Sequence, residues 1–380
     1  MYAAGDKSFV GRPAAMEICD VTLRDGEQTP GVAFSREEKE DIALALDAVG
    51  VEIIEAGFPA VSEAEQRAVK AVAALGTRAR ICALARTKTQ DIDIALECDV
   101  DLLSIFTALS DLHLRHKLHL DREEAVFRTL NALDYARDHG LEVRLAAEDA
   151  TRTDVGALVD YFRRGEERGA AYLSVADTVG ALNPPAAYRL ISQLRAKLRA
   201  PLCVHFHDDL GMATANTLCG LEAGAFQLHT TVNGIGERGG NAPLEEVLVA
   251  LRLLYGVERY DLSGLCALSE KVAKYSGVAV ARNKAVVGTN AFAHESGIHV
   301  AAVLEEPRTY ELYSPELVGA RRAFVLGKHS GVKALAHVVA GMGYQLSQER
   351  LCALLAKVKA RGEEGSAVDE AVLRELIERG

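Results

Sequence analysis

From about residue 17 to residue 255, short apolar runs rich in β-branched residues alternate with longer segments whose apolar residues recur at helical spacing. Parallel strands covered by helices read as short continuous apolar runs, so this alternation predicts repeated strand–helix units. Eight runs qualify as strands: 18–23, 51–56, 80–84, 102–106, 142–147, 172–176, 202–206 and 226–232. Between them lie amphipathic segments such as 35–49, where Ser35 and Glu38 have the spacing of a capping box, and 121–139, 153–168 and 184–198. Gly50, Gly76, Gly140, Gly169 and Gly224 stand where those helices should stop, a position that often requires the left-handed conformation. Eight such units in about 240 residues match a closed (β/α)8 TIM barrel, here expected over residues 16–257. A doubly wound open sheet is the alternative.

After Gly256 the rhythm becomes mainly helical, with a loop-like stretch over 288–327 and two closing helices over 347–380 joined through 362–366. Residues 258–380 are therefore expected to form a helical appendage rather than more barrel. Residues 1–15 lack an apolar core and are read as a disordered leader outside the fold.

Composition narrows the partners more than the fold. The chain is 49% hydrophobic and carries a formal charge of −11, with acidic and basic residues interspersed, so no basic surface points to nucleic acid or anionic lipid. No apolar run approaches the roughly 18 residues needed to span a bilayer. Seven cysteines are scattered without a Cys-x-x-Cys, which favours neither a disulfide frame nor a zinc–thiolate cluster and suits a cytoplasmic protein. A small-molecule substrate is the expected partner.

In a parallel barrel, catalytic groups gather at the C-terminal ends of the strands. Here strand one runs into Thr22-Leu23-Arg24-Asp25-Gly26-Glu27-Gln28, strand five into Glu148-Asp149, strand six into Asp177-Thr178, strand seven into His205-Phe206-His207 and strand eight into Asn233-Gly234. Side chains two apart on a strand share a face, so His205 and His207 can share one metal ion. Asp25 offers a carboxylate and Asn241 an amide oxygen; this nitrogen–oxygen mixture suits Mn, Mg, Fe or Zn without choosing among them. The blander readings are a polar strand edge for the His-x-His, a helix N-cap for Asp25 and a surface salt bridge for Arg24. Functionally, Arg24 is a fixed cation for a carboxylate or oxyanion, Glu148 a proton-relaying carboxylate and Thr178 a hydroxyl donor. Asp149 and Asp177 are expected to cap their helices.

Two motifs mislead. Gly234-Ile235-Gly236-Glu237-Arg238-Gly239 matches a dinucleotide fingerprint but follows the eighth strand, where a tight loop carrying Asn241 to the mouth is the better reading. His294-Glu295-Ser296-Gly297-Ile298-His299 looks like a zinc-protease helix, yet its histidines are five apart and would splay by about 140°.

Taken together, the motifs 20–28, 205–211 and 233–241 resemble those of the metal-dependent acyl-CoA condensing enzymes that include 2-isopropylmalate synthase and homocitrate synthase; the likeness runs from Met16 through nearly the whole chain. The resemblance implies Asp25, His205, His207 and Asn241 as ligands of one divalent ion, and Arg24, Gln28 and Thr178 near a 2-oxo acid. It implies Glu148 as a catalytic carboxylate, and His299 with Tyr310 as an acid–base pair supplied by the C-terminal region. That region packs over a neighbouring subunit's barrel in such enzymes, so a homodimer with shared sites and acetyl-CoA as co-substrate are implied as well. Segments 110–118, 213–218 and 327–331 are most similar to homocitrate synthases of nitrogen fixation, which implies 2-oxoglutarate as acceptor, with Arg86 or His116 as the cation for its distal carboxylate. Residues 83–86 also resemble the leucine-pathway enzyme with its branched acceptor, although the chain stops too soon for that enzyme's usual regulatory domain. A retro-aldol lyase of the same superfamily and a non-catalytic binding protein are the further alternatives.

Overall fold

The computed structural model describes residues 15–365 and 368–379, so the expected leader, Ala15 apart, and Ser366 in the expected helix connection lie outside the described residues. The chain forms two compact units that divide between Val280 and Ala281.

In the first unit, eight parallel strands close into a barrel in sequence order: β1 (Glu17–Asp20), β2 (Ile53–Gly57), β3 (Arg80–Ala85), β4 (Leu102–Ala108), β5 (Glu142–Glu148), β6 (Tyr172–Asp177), β7 (Leu202–Phe206) and β8 (Gln227–Thr230). Closure is made by β8 pairing back on β1, with Glu17 opposite Gln227 and Thr230 opposite Asp20. The expected TIM barrel is thus the observed one, and its strands are buried on both faces, as in β2 and β7, where every residue is buried.

The helices form because their apolar positions repeat at helical spacing and their ends are capped. Helix Arg36–Val49 starts at the Ser35–Glu38 capping box, buries Ile42, Ala43, Leu46 and Val49, and stops at Gly50 with φ 96°. Each of the large aliphatic side chains it buries contributes about 1.5–3 kcal/mol. The same helix carries a lysine that the apolar pattern does not foreshadow. Lys39 is fully buried, its ammonium held by Glu27 at 2.7 Å, by Glu65 at 2.8 Å and by the carbonyls of Leu23 and Ala56. Three protons shared among these acceptors tie the turn after β1 to the helix that follows it, which fixes the turn bearing Arg24 and Asp25.

Helix Leu265–Ser276 belongs to the barrel unit rather than to the appendage expected from residue 258. Lys271 Nζ and Tyr275 Oη each reach Asp41 at 2.7 Å, and the Asn233 amide donates to the Ser269 carbonyl at 2.9 Å. Helical periodicity tells that a segment is amphipathic but not which core its apolar stripe meets, so the change of rhythm at Gly256 marks the end of the strands and not the end of the unit.

The second unit is mainly helical, as expected, with helices Gly297–Glu305, Val332–Gly341, Gln348–Glu363 and Glu370–Glu378. Val300, Leu335, Val339, Leu354, Val358, Leu373 and Ile377 make its core. The stretch expected to be loop contains helix Gly297–Glu305 and a small parallel pair, β9 (Ala293–His294) with β10 (Ala323–Phe324). These pieces are too short for a periodic signal, and Ser296 starts the helix without a side-chain cap. No helix among the described residues is long and apolar enough to cross a membrane.

Candidate active site

Three side chains from distant parts of the chain converge at the mouth of the barrel. After β1 the backbone folds back on itself: the amides of Arg24, Asp25 and Gly26 all donate to the Val21 carbonyl at 2.8–3.1 Å, which turns Asp25 inward. His205 lies in β7 and His207 just beyond it, where a bridge to Asn241 continues the extended backbone. The two Nε2 atoms face each other at 3.2 Å, and Asp25 Oδ2 lies 3.8 Å from each. One ligand atom from each residue falls within 4.8 Å of the others, and all three residues are buried.

The chemistry of this donor set fits a divalent cation. Burial pushes the His205 imidazole well below the ordinary histidine value and lowers that of His207, which favours the neutral rings that metal binding requires. Burial alone would raise the Asp25 carboxyl, but its neighbours, the Arg24 guanidinium foremost and the Asn241 amide among them, outweigh it and hold it down to about 2. The Asn241 amide lies 2.5 Å from Asp25 Oδ2, while Asn241 Oδ1 is buried without a hydrogen-bond partner. Two neutral nitrogens and a carboxylate close to one another are groups such an ion satisfies, and the Asn241 amide lies against the same carboxylate.

The blander readings lose their support here. Asp25 precedes the short helical turn Gly26–Gln28 but its side chain caps nothing. Arg24 is no surface ion pair: it is 14% exposed and bonds Asp25 at 2.7 Å and the fully buried Glu55 at 2.5 Å. The Gly-rich motif after β8 is indeed a tight loop. Gly236 has φ 159°, and a Cβ there would strike the Asn241 amide; a Cβ on Gly240, at φ 84°, would strike the Gly234 carbonyl. These glycines let the loop fold closely enough to bring Asn241 against Asp25.

A cavity of about 350 Å³ opens at this end of the barrel, lined by Arg24, Asp25, Gln28, Glu148, Thr178, His205 and His207 among the residues singled out from sequence. Thr178 Oγ1 accepts the Asp149 amide at 2.8 Å, which leaves its hydroxyl proton free to donate into the cavity. Asp177 serves its own turn, accepting from the amides of Ala181 and Leu182. Asp149 does not cap: it sits in the left-handed region at φ 55°, with its carboxylate held by Ser110 and Arg152.

Arg86 is not among the cavity-lining residues. Asp91, five residues on, takes both its Nε and Nη2 at 2.7 and 2.9 Å, a bidentate grip, and the guanidinium lies over the ring of the cavity-lining Phe58 at 5.4 Å. His116 is exposed and likewise outside the lining. His299 and Tyr310 lie in the second unit, where their exposed rings pack at a centroid distance of 4.0 Å.

Among the polar residues of the cavity that the sequence patterns did not point to are Glu55, Lys117, Arg144 and His229. Arg144 is 1% exposed and donates to Gln227 at 2.8 Å, to Ser104 at 3.2 Å and to Glu55, with His229 Nε2 at 3.1 Å. Lys117 binds both oxygens of Glu148 at 2.6 and 2.8 Å. The period-2 pattern held the clue for two of them: Arg144 shares the inward face of β5 with Glu148, and His229 the inward face of β8 with Gln227.

Comparison with known proteins agrees with this geometry. The HMGL-like family model matches residues 15–272, and a model described as homocitrate synthase post-HMGL domain-like matches 286–366. The chain belongs to the HMGL-like family. Among its curated relatives is the homocitrate synthase AksA of Methanosarcina mazei, 56% identical over 369 residues that cover 97% of this chain and 90% of the relative. The 2-isopropylmalate synthase of Methanocaldococcus jannaschii is 44% identical, covering 96% of this chain and 72% of that one. Among solved structures, the HMG-CoA lyase of Bacillus subtilis superposes with a TM-score of 0.66 at 21% identity, over 73% of this chain and 98% of the other, a likeness of fold.

Proposed function

We propose that the protein is a homocitrate synthase, an acyltransferase that condenses acetyl-CoA with 2-oxoglutarate to give homocitrate and CoA. The observation that carries the reaction class is the convergence of Asp25, His205 and His207 at the cavity mouth beside Arg24. The names of the relatives at 47–56% identity support the acceptor. So does the buried cation Arg144 in the cavity lining, placed to meet a second carboxylate where Arg86 is not.

A divalent ion held by Asp25, His205, His207 and Asn241 would supply Lewis acidity and a template for the 1-carboxylate and 2-oxo oxygen of the acceptor. The chain's own groups do the rest. Thr178 donates its hydroxyl to the acceptor carboxylate, and Gln28 borders the same space. A base, His299 with Tyr310 beside it, takes a methyl proton from acetyl-CoA. The resulting enolate carbon bonds to C2 of the oxo acid, and the C2–O π pair moves onto oxygen. Arg24 faces that oxygen and stabilises the negative charge, an electrostatic effect typically of about 3–4 kcal/mol. Protonation of the alkoxide, with Glu148 relaying, and hydrolysis of the thioester release homocitrate and CoA. His299 and Tyr310 come from the C-terminal region of a second copy in this reading, so the working form is a cytoplasmic homodimer with shared sites.

A second reading, 2-isopropylmalate synthesis, draws on the apolar wall of Phe58, Leu84 and Phe106 in the same cavity. Thiol release from acetyl-CoA, measured over 2-oxoglutarate, 2-oxoisovalerate, pyruvate and oxaloacetate, separates the two. The largest kcat/KM is expected with 2-oxoglutarate; a larger value with 2-oxoisovalerate would transfer the assignment, and thiol release without any acceptor would point to a lyase. The shared site has its own test. Mixing inactive Asp25→Ala with inactive His299→Ala should restore some turnover through hybrid dimers, and no rescue when hybrids demonstrably form would exclude His299 from a partner's site.

A further inference from the structure

The acceptor cavity is far too small for a whole acyl-CoA, so the nucleotide end of that substrate must lie outside it, over the rim. Immediately after β4, at the same end of the barrel, the chain makes a wide helical turn, Leu114–Leu118, of the rare i to i+5 type that often marks functional positions. The turn is built rather than frayed. Ser110 accepts the His113 amide at one end and donates to Asp149, Leu114 is buried beneath it, and His119 closes it in the left-handed conformation at φ 53°.

Its last four positions and the residue that closes it read Arg115, His116, Lys117, Leu118 and His119. Lys117 reaches inward to Glu148 in the cavity, whereas Arg115, His116 and His119 are exposed and engaged by no hydrogen bond or ion pair among the described residues. The neighbouring carboxylates, by contrast, are each committed. Asp111 pairs with Arg122, Asp121 accepts the Glu124 amide, Glu123 pairs with Arg164 and Glu124 with Arg128. In a chain of net charge −11, a rim whose acids are occupied and whose cation and imidazoles are not is a local anion site.

We propose that this turn docks the phosphorylated adenosine diphosphate end of acyl-CoA, with Arg115 as its charged contact, His116 and His119 as hydrogen-bond donors, and Lys117 marking the way in to Glu148. The proposal rests on the reading that an acyl-CoA is the donor substrate. Its test is the charge reversal Arg115→Glu, assayed by thiol release in about 50 mM salt, where rim charges act most strongly. The KM for acetyl-CoA should rise about tenfold or more, while kcat and the KM for the 2-oxo acid stay within about twofold. Acetyl-pantetheine, which lacks the nucleotide, should be used equally well by both proteins, and the difference with acetyl-CoA should shrink at high salt. An unchanged acetyl-CoA KM, or an equal loss with acetyl-pantetheine, overturns the assignment. Calorimetric titration with CoA alone separates the two readings. If no 2-oxo acid supports turnover, the condensing reaction fails, yet CoA binding that Arg115→Glu weakens would still support the site, and no CoA binding to the unaltered protein would remove it.

Discussion

Two polar clusters share the inside of this barrel, and they differ in how nearly they are finished. On the floor, Arg144 is surrounded by Glu55, Gln227, His229 and Ser104, so a buried charge is matched by groups from three other strands, and of these side chains' polar atoms only His229 Nδ1 lacks a partner. At the mouth, Nδ1 of His205, Nδ1 of His207 and Oδ1 of Asn241 are buried without partners, and the two Nε2 atoms point at one another. Burying a polar group without a partner costs about 1–3 kcal/mol, so a cluster of such groups persists only where something else satisfies them. The floor is therefore read as structure that also faces substrate, and the mouth as a site completed by what it binds.

The sharpest way to break that contrast is His207→Ala. It should abolish binding of a divalent ion and lower kcat/KM by more than about a thousandfold, well beyond the 10–100-fold usual for groups that only support a ligand. The metal-depleted variant should melt within a few degrees of the metal-depleted parent, because the lost imidazole is only weakly tied into the fold. Activity retained after chelation, or a collapse of the fold, would reject the reading of the mouth.

On the floor the order of effects should reverse. Arg144→Met leaves Glu55 with Arg24 as its remaining ion-pair partner and takes the guanidinium from Gln227 Oε1 and His229 Nε2, which keep each other. Breaking a buried pair from one side costs about 3–5 kcal/mol, and the Arg24 contact should keep the loss near the lower figure, read as a lowered urea midpoint. The kcat/KM for 2-oxoglutarate should fall more than that for pyruvate, which has no second carboxylate. Equal losses would make Arg144 a structural residue only.

How far these clusters could be read in advance follows from range. The barrel was legible because each strand and helix repeats its own short-range pattern, and the candidate metal cluster because a His-x-His at a strand end is a local signal. Lys39, Arg144 and Glu55 were not, since each looks like an ordinary charged residue until distant strands and helices close round it. Arg86 shows the converse: it stands at the right strand end, but which partner its guanidinium takes, here Asp91, is not written in the strand pattern. Lys117 sits in a turn whose wide geometry no periodicity announces.

A third buried group sharpens the comparison with the smallest effect. Asp20 at the end of β1 is fully buried, like the floor pair, but it has hydrogen bonds from Thr22 and Thr230 and no cation. Burial raises its carboxyl from the ordinary 3.8 to about 7, with those hydrogen bonds working against the rise. A carboxyl raised in the folded state contributes stability that is complete below about pH 4 and is lost as pH climbs towards 7. Asn keeps the acceptor for the Thr22 amide and cannot ionise. Asp20→Asn should therefore gain on the unaltered protein between pH 4 and 7, by something on the order of 2 kcal/mol, and hold that gain at higher pH. Urea unfolding across that range, in chelator so that the mouth is the same in both proteins, reads the difference directly. A gap that stays constant with pH would mean that Asp20 is charged throughout, and that hydrogen bonds alone can hold a buried carboxylate in this barrel without the cation that the floor supplies.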